Sequence, residues 1–350
     1  MGKYTEIKKI LIIKPSGIGD IIHSLPAAYG LKNLYPNSKI YWLVFGRFEK
    51  ILHNVPWVDE LLLWNRFGGL KEYIRVIKTV KEEKFDLVID LQGLLRTAVI
   101  SFFSGGKTRL AVSLLREGAW LFEKPIEKFD PEMHAVERNY RIVKYLSNEK
   151  PLPEPVSFLP WIHITDEEKE TAKKLIGSFG IKINRPFVLF AVTSRGEHKI
   201  WPYFNFIELI NLAVKEYNLI PIFLGMKEES ELVKKVTDGL NCEYIDLTGK
   251  TDLRIACSVI SFCKLVIGND SALIHIASAL DIPVIGLYGP TNPTQVGPYG
   301  RKHTVILKKL PCGPCGIKTS CKNYRCMTEI TPEEVFNAVK KIYIQNENTN

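Results

Sequence analysis

No apolar run in the 350 residues reaches the ~18–20 needed to cross a bilayer as a helix. The first apolar segment, Ile10-Leu11-Ile12-Ile13, is too short and too closely flanked by lysines for a signal peptide, so the chain is expected to stay in the cytoplasm. There is no His-Glu-x-x-His pair, no Gly-x-Ser-x-Gly elbow and no Gly-x-x-x-x-Gly-Lys-Ser/Thr loop, which argues against zinc peptidase, serine hydrolase and P-loop chemistry. No Asp-x-Asp metal motif is evident, and the seven histidines are scattered without ligand spacing. Basic stretches interleaved with stacking aromatics, helix-turn-helix spacing and zinc-finger spacing are missing too, so no nucleic-acid partner is expected.

What is present is an ordinary globular balance, 46% apolar and 24% charged, in a chain long enough for two domains. The formal charge of +9 fits either plain solubility or a basic face for phosphate-rich or anionic-membrane partners. Four of the seven cysteines crowd into Cys312-x2-Cys315-x5-Cys321-x4-Cys326. Four thiolates so close could hold tetrahedral zinc, but the spacing lacks two Cys-x2-Cys pairs. A reduced or partly disulfide-linked structural loop is the alternative, and without a secretory signal a disulfide framework is not the default.

Strand and helix patterns alternate along the chain, which predicts parallel sheets covered on both faces. Strands are expected at Ile10–Ile13, Ile40–Val44, Glu60–Trp64, Leu87–Leu91 and Thr108–Val112. Helices are expected at Ile21–Leu34, Leu70–Lys81, Leu94–Phe103 and His134–Leu146. Three prolines in Pro151-Leu152-Pro153-Glu154-Pro155 mark a stiff linker. A second set follows, opened by a capping box at Thr165 and Glu168. Its strands are expected at Phe187–Val192, Ile220–Leu224, Leu265–Ile267 and Val284–Leu287. Thr331, Pro332 and Glu334 open a last helix, ahead of a polar, frayed tail from Gln345 to Asn350. The reading is thus α/β, with doubly wound domains at 1–150 and 151–330 and a C-terminal helix and tail at 331–350. Ligands in such sheets bind at the carboxyl ends of strands, so the turns Gly17–Asp20, Thr193–Lys199 and Gly268–His275 are expected to face a shared cleft.

Each turn has chemistry of its own. Gly17-Ile18-Gly19-Asp20 lacks the glycine or alanine that would complete a dinucleotide fingerprint, since Ile22 stands there. It leaves two glycines for close backbone approach and a carboxylate that is either a plain helix cap or a general base. Thr193-Ser194-Arg195-Gly196-Glu197-His198-Lys199 offers hydroxyls and a lysine suited to phosphate oxygens, or else a solvated loop. Val266-Ile267-Gly268-Asn269-Asp270-Ser271 runs from a buried strand into a helix, and such an N-terminus is a ready anion site. Ser271 and His275, four apart, share one helix face. A diphosphate-bearing donor is expected here.

With these turns in hand, the chain resembles the heptosyltransferases of glycosyltransferase family 9. The matching segments run from Ile10-Leu11-Ile12-Ile13-Lys14-Pro15-Ser16-Gly17-Ile18-Gly19-Asp20 to Pro290-Thr291-Asn292-Pro293. Between them lie Asp90-Leu91-Gln92-Gly93-Leu94, His134-Ala135-Val136-Glu137-Arg138 and Lys199-Ile200-Trp201-Pro202, so the resemblance spans nearly the whole chain, in order. It implies a GT-B fold, two Rossmann-like domains facing across a cleft. The implied reaction moves a heptose from ADP-L-glycero-β-D-manno-heptose to the lipopolysaccharide core, with inversion. The acceptor would be Kdo-lipid A or an already heptosylated core.

Asp20 then matches the catalytic base, and Lys199 a lysine on the donor phosphate. Asp270, Ser271 and His275 match the donor-binding turn and helix, with Ser271-Ala272 standing where the family often has Thr-Gly. Thr193, Ser194, Thr248, Gly249 and Ala272 complete the expected donor set. Ser16, Gly17 and Gly19 join the acceptor side, where Arg66, Arg96, Arg116 and Arg138 could meet anionic Kdo or phosphate groups, or else form surface or interdomain ion pairs. No cofactor or metal is expected. The enzyme would work peripherally on the cytoplasmic face of the inner membrane. Two other readings remain open: a GT-B transferase or epimerase using another nucleotide-sugar, and a membrane-associated scaffold whose cysteine loop holds zinc.

Overall fold

Ile10, Leu11, Ile12 and Ile13 are wholly buried, which requires a strand covered on both faces. In the computed structural model, which describes residues 7–148, 150–181, 185–316, 321 and 323–347, this strand is the middle of a five-stranded parallel sheet. Its strands are β1 (Lys9–Ile13), β2 (Lys39–Phe45), β3 (Glu60–Trp64), β4 (Leu87–Asp90) and β5 (Thr108–Ala111), in the order β3-β2-β1-β4-β5. Ile12 sits between Trp42 and Ile89, so the register is set by three large buried side chains side by side. The helices are α1 (Ile18–Ile22), α2 (Leu25–Leu34), α3 (Gly69–Glu82), α4 (Leu95–Phe103) and α5 (Ala135–Ser147).

The single helix expected over Ile21–Leu34 is two. The chain breaks at His23-Ser24, because Pro26 lacks an N–H and is shaped for a helix's first turn rather than its interior. The Ser24 hydroxyl bonds back to the Asp20 carbonyl (2.8 Å), and the Asn139 amide on α5 donates to His23 O and Ser24 Oγ. The break is thereby pinned from a second element.

The two compact units are Met1–Ile162 and His163–Asn350. The proline stretch belongs with the first: the Tyr140 hydroxyl on α5 donates to Pro153 O, and Trp161 Nε1 to Pro155 O.

The second unit holds a six-stranded parallel sheet. Its strands are β6 (Phe187–Ala191), β7 (Ile220–Phe223), β8 (Ile245–Asp246), β9 (Cys263–Asn269), β10 (Val284–Tyr288) and β11 (His303–Leu307), in the order β11-β10-β9-β6-β7-β8. The sequence reading omits β8 and β11. One is two residues long and the other is a half-exposed edge, so neither carries a strong apolar run. The helices are α6 (Asp166–Gly177), α7 (Tyr203–Tyr217), α8 (Ser230–Thr237), α9 (Leu253–Ser261), α10 (Ala272–Ala279), α11 (Pro293–Val296), α12 (Arg325–Thr328) and α13 (Pro332–Glu347). Both capping boxes form: Thr165 with Glu168, and Thr331 with Glu334. Arg254 on α9 forks onto Glu168 at 2.7 and 2.8 Å and ties that helix to α6. The last helix packs on α7 and runs through Glu347, so the expected frayed tail is helical as far as Glu347; residues 348–350 lie outside the described residues.

Candidate active site

Each sheet has one place where the strand order reverses. In the first unit it lies between β1 and β4, in the second between β6 and β9. Loops leaving the carboxyl ends on either side of such a point diverge and open a crevice, which is where doubly wound sheets hold ligands. The turns singled out from sequence fall on these two points.

At the first, β1 runs into Lys14-Pro15-Ser16 and then α1. Gly17 has φ +82°, and a Cβ built there would lie 2.5 Å from the Asp20 carboxylate. Only glycine lets Asp20 fold back over its own turn. Asp20 is exposed, Ser16 and Gly19 are half-buried, and Gly17 O and Gly19 O accept from Ile21 N and His23 N. Lys14 is buried, its backbone carbonyl fixed by Trp42 Nε1 and its ammonium donating to Leu91 O at 2.9 Å. Burial pulls the Lys14 ammonium below its ordinary value, against the opposing pull of Asp20 and Asp90. Arg138 is pulled down by burial and by Arg116, and held up by Asp20. Asp20 thus stands exposed where its charge acts on Lys14 and Arg138, and Arg116 acts on the same two cations.

Arg66 and Arg96 lie on the same carboxyl edge of this sheet. Arg66 lies over the Phe45 ring on a cavity of about 350 Å³ at the carboxyl ends of β2 and β3, together with Arg47 and Arg75. Arg96 sits in the first turn of α4, its carbonyl accepting from Tyr73 and its Nε buried without a partner.

Across the same switch point, Asp90 is wholly buried at the end of β4. Its Oδ1 accepts from Gln92 N (2.7 Å) and Gly93 N (3.1 Å) and shapes the loop into α4. Glu123 is buried beside it. Asp90 Oδ2 and both Glu123 oxygens have no hydrogen-bond donor on them, though the Ser101 hydroxyl lies alongside. Burial, then the facing Asp90, pushes the Glu123 carboxyl well above the usual range, with Arg109 opposing; burial pushes Asp90 up as well. Two such groups in contact hold a proton between them at neutral pH. Asp90, satisfied by two N–H groups, is the better anion, so the proton belongs to Glu123.

At the second switch point, β9 packs so closely on β6 that a Cβ on Gly268 would lie 2.3 Å from Ala191 O. Asn269 then links the two loops, donating to Val192 O (2.8 Å) and accepting from Trp201 N (2.9 Å). Trp201 is itself buried and donates to Ile330 O. On this frame the Ser194 hydroxyl donates to Asp270 O (2.6 Å) and the Lys199 ammonium to Asp270 Oδ2 (2.6 Å). His275 Nε2 lies 3.6 Å from Asp270 Oδ1. Burial raises the Asp270 carboxyl, but His275 and Lys199 outweigh it and hold the group below the ordinary carboxylate range.

Ser271 is the N-cap of α10 without bonding its backbone, and its hydroxyl is buried with no partner. The hydroxyls of Tyr288, Thr291 and Thr248 are in the same condition, and Thr193 is buried nearby in sequence. Burial and Asp270 raise the Tyr288 phenol far above its ordinary value, so it stays a neutral donor. Unpaired buried hydroxyls beside an open helix N-terminus, whose first residue is Ala272, and one lysine form a cradle for an anion. Thr248 and Gly249 lie further along the same edge, Thr248 beside Gly225 at the end of β7.

Lys14, Asn269 and Tyr288 carry this geometry and escape the sequence reading. The signal was there: each is a polar group at the end of an otherwise apolar strand run. Cys312, Cys315, Cys321 and Cys326 are all free, and among the described residues no three His, Cys, Asp or Glu side chains gather to hold a metal. Cys326 packs beside Gly289, and burial, followed by the neighbouring Cys315, Cys321 and Cys312 thiols, pushes its own thiol up.

Solved structures share the whole architecture. A glycosyl transferase family 9 protein from Veillonella parvula superposes with a TM-score of 0.86 at 22% identity, covering 99% of this chain and all of that one (100%). The Escherichia coli ADP-heptose lps heptosyltransferase II superposes at 0.78 with 24% identity, covering 97% and 99%. The fold is therefore GT-B. By sequence, the lipopolysaccharide core heptosyltransferase OpsX of Haemophilus influenzae is 27% identical over 359 residues, covering 98% of this chain and 99% of the relative. The model of glycosyltransferase family 9 (heptosyltransferase) matches residues 73–325, and the chain belongs to that family of enzymes.

Proposed function

We propose that the chain transfers a heptose from ADP-heptose to a lipopolysaccharide core acceptor with inversion at the anomeric carbon. The observation that carries this reading is the pairing of chemistries at the two switch points: an exposed, cation-flanked Asp20 in one unit and the Lys199–Asp270–α10 cradle in the other. An inverting transfer needs one base on the acceptor hydroxyl and charge stabilisation on the leaving diphosphate, with no covalent enzyme intermediate. Asp20 accepts the proton. Lys199 is aimed by Asp270, whose own charge is balanced by Lys199 and His275, and the first turn of α10 with the Ser271 hydroxyl receives the ADP phosphates. Arg116 and Arg138 meet the acceptor's anionic groups. The donor and acceptor named here are those in the relatives' names.

The enzyme works on lipid-borne acceptor at a membrane surface; no helix among the described residues is long and apolar enough to cross one. Since the leaving-group charge is met by Lys199 and a helix N-terminus, no divalent cation is needed, and turnover should survive chelation with EDTA.

The test is product analysis with ADP-heptose and a panel of truncated lipopolysaccharide acceptors. A heptosylated product with inverted anomeric configuration is expected. Preference for a UDP-sugar over ADP-heptose would overturn the donor assignment.

A further inference from the structure

The first unit carries an exposed apolar face that the reaction does not use. Leu95, Phe102 and Phe103 project from α4 and are exposed. The adjoining turn Ala119–Leu121 adds Trp120, 62% exposed, and Leu121, 74% exposed. These side chains form one patch. Phe102 packs edge-on to Phe103 (5.2 Å between centroids) and to Phe122 (5.5 Å). Leu95 and Leu121 both come within 4.0 Å of the position a Cβ would take at Gly118. Single exposed apolar residues are commonplace, but five large ones gathered together are not.

Charge says what covers the face. Between Leu94 and Lys124 the chain carries Arg96, Lys107, Arg109, Arg116 and Lys124 against Glu117 and Glu123. Glu123 is buried and holds a proton, and Lys107 is paired to Asp86. Arg109, Arg116 and Lys124 are exposed, with Arg109 stacked 4.8 Å from the Phe102 ring centroid. Protein–protein interfaces are depleted of lysine, and their rims are polar and solvent-accessible. Tryptophan, phenylalanine and leucine ringed by lysine and arginine are instead the composition of surfaces that insert shallowly into anionic bilayers.

Position agrees. The segment bearing Trp120 leaves the carboxyl end of β5, and Arg116 N donates to Gly93 O in the loop after β4 (2.8 Å). Arg116 is also one of the charges acting on Lys14 and Arg138, beside Asp20.

We propose that this face docks the enzyme on an anionic phospholipid surface, with Trp120 and Leu121 entering the headgroup region and Arg109 and Lys124 meeting lipid phosphates. The inference rests on the heptosyltransferase reading only for its purpose, since a lipid-borne acceptor would then be presented at the Asp20 edge. Docking itself needs no acceptor.

The experiment is flotation of the full chain with phosphatidylcholine vesicles, with and without phosphatidylglycerol. The wild type should float with the anionic vesicles and be released as salt rises. The Trp120→Ser/Leu121→Ser double variant should partition about tenfold or more weakly. Equal flotation of the two proteins, or none by the wild type, would overturn the proposal. So would a wild-type dimer on sizing that the double variant dissolves, because a second copy would then be the occupant.

Should the double variant fail to fold, lipid-quenched fluorescence decides. Trp120 is the exposed one of six tryptophans, the other five being buried. Brominated lipid should quench the wild type and not Trp120→Phe, and equal quenching would overturn the proposal. Turnover of a delipidated, soluble acceptor should be unchanged in the double variant. If no acceptor is heptosylated while flotation behaves as stated, the functional reading falls and the docking surface stands.

Discussion

Asp90 and Asp270 occupy corresponding places, each at the carboxyl end of the strand that follows the reversal of its sheet. Their electrostatics are opposite. Asp90 meets two backbone N–H groups and a second carboxyl, and burial pushes it up. Asp270 meets Lys199, and His275 lies close by, so it is held below the ordinary range. The same position in a doubly wound sheet therefore serves two ends. In one unit it braces a loop while the cations are left to Asp20 and its surroundings. In the other it holds the Lys199 ammonium in place, the cation that the proposed function assigns to the donor phosphates.

The strongest test of this division is Asp20→Ala. With Asp20 as the base proposed above, its removal should lower kcat by about 10³-fold or more, near the upper part of what general bases contribute. ADP affinity, read by calorimetry, should stay within about twofold, because the donor cradle lies in the other unit. Turnover close to wild type would remove Asp20 from the mechanism. Asp270→Ala should do the reverse. It strands Lys199, 15% exposed, without its anion, at a cost of about 3–5 kcal/mol in stability, and weakens ADP binding. A variant as stable as wild type would show that the pair is not structural.

The same comparison shows what the chain discloses before it is folded. Buried strands such as Ile10–Ile13 and the capping boxes at Thr165 and Thr331 are legible because their signals are local: period, length and a side chain three residues away. The Asp20, Lys199 and Asp270 turns are legible for the same reason, each following an apolar run. Partners brought in by the sheet are another matter. That Asp90 faces Glu123, while Asp270 faces Lys199 and His275, depends on strand order, which periodicity does not encode. Helix breakage at His23-Ser24 could have been read from Pro26. The edge strands β8 and β11 offered too little apolar pattern to be seen.

A smaller effect should come from Gly17→Ala. Its φ of +82° and the carboxylate 2.5 Å from the new Cβ force Asp20 off its turn, so kcat should fall by roughly tenfold or more, the equivalent of about 1–3 kcal/mol of strain. Donor affinity should hold. Weakened ADP binding with normal kcat would contradict the separation of the two switch points.

The subtlest difference is in how stability responds to pH. Glu123 keeps its proton in the folded chain above the pH at which the unfolded chain releases it. Folding then binds a proton across that interval, so this group's contribution is complete at acid pH and is lost as pH rises from about 5 toward 8. Asp270 has the opposite sign: depressed in the fold, it stabilises above the ordinary carboxyl range and loses that contribution in acid. Glu123→Gln has nearly the shape of the protonated acid and cannot titrate. The difference in unfolding free energy between variant and wild type should therefore grow with pH over that interval, at up to about 1.4 kcal/mol per pH unit for one proton. Histidines titrating in the same range cancel in that difference. Urea unfolding of both proteins at several pH values measures it, and parallel curves would mean that Asp90 and Glu123 do not share a proton.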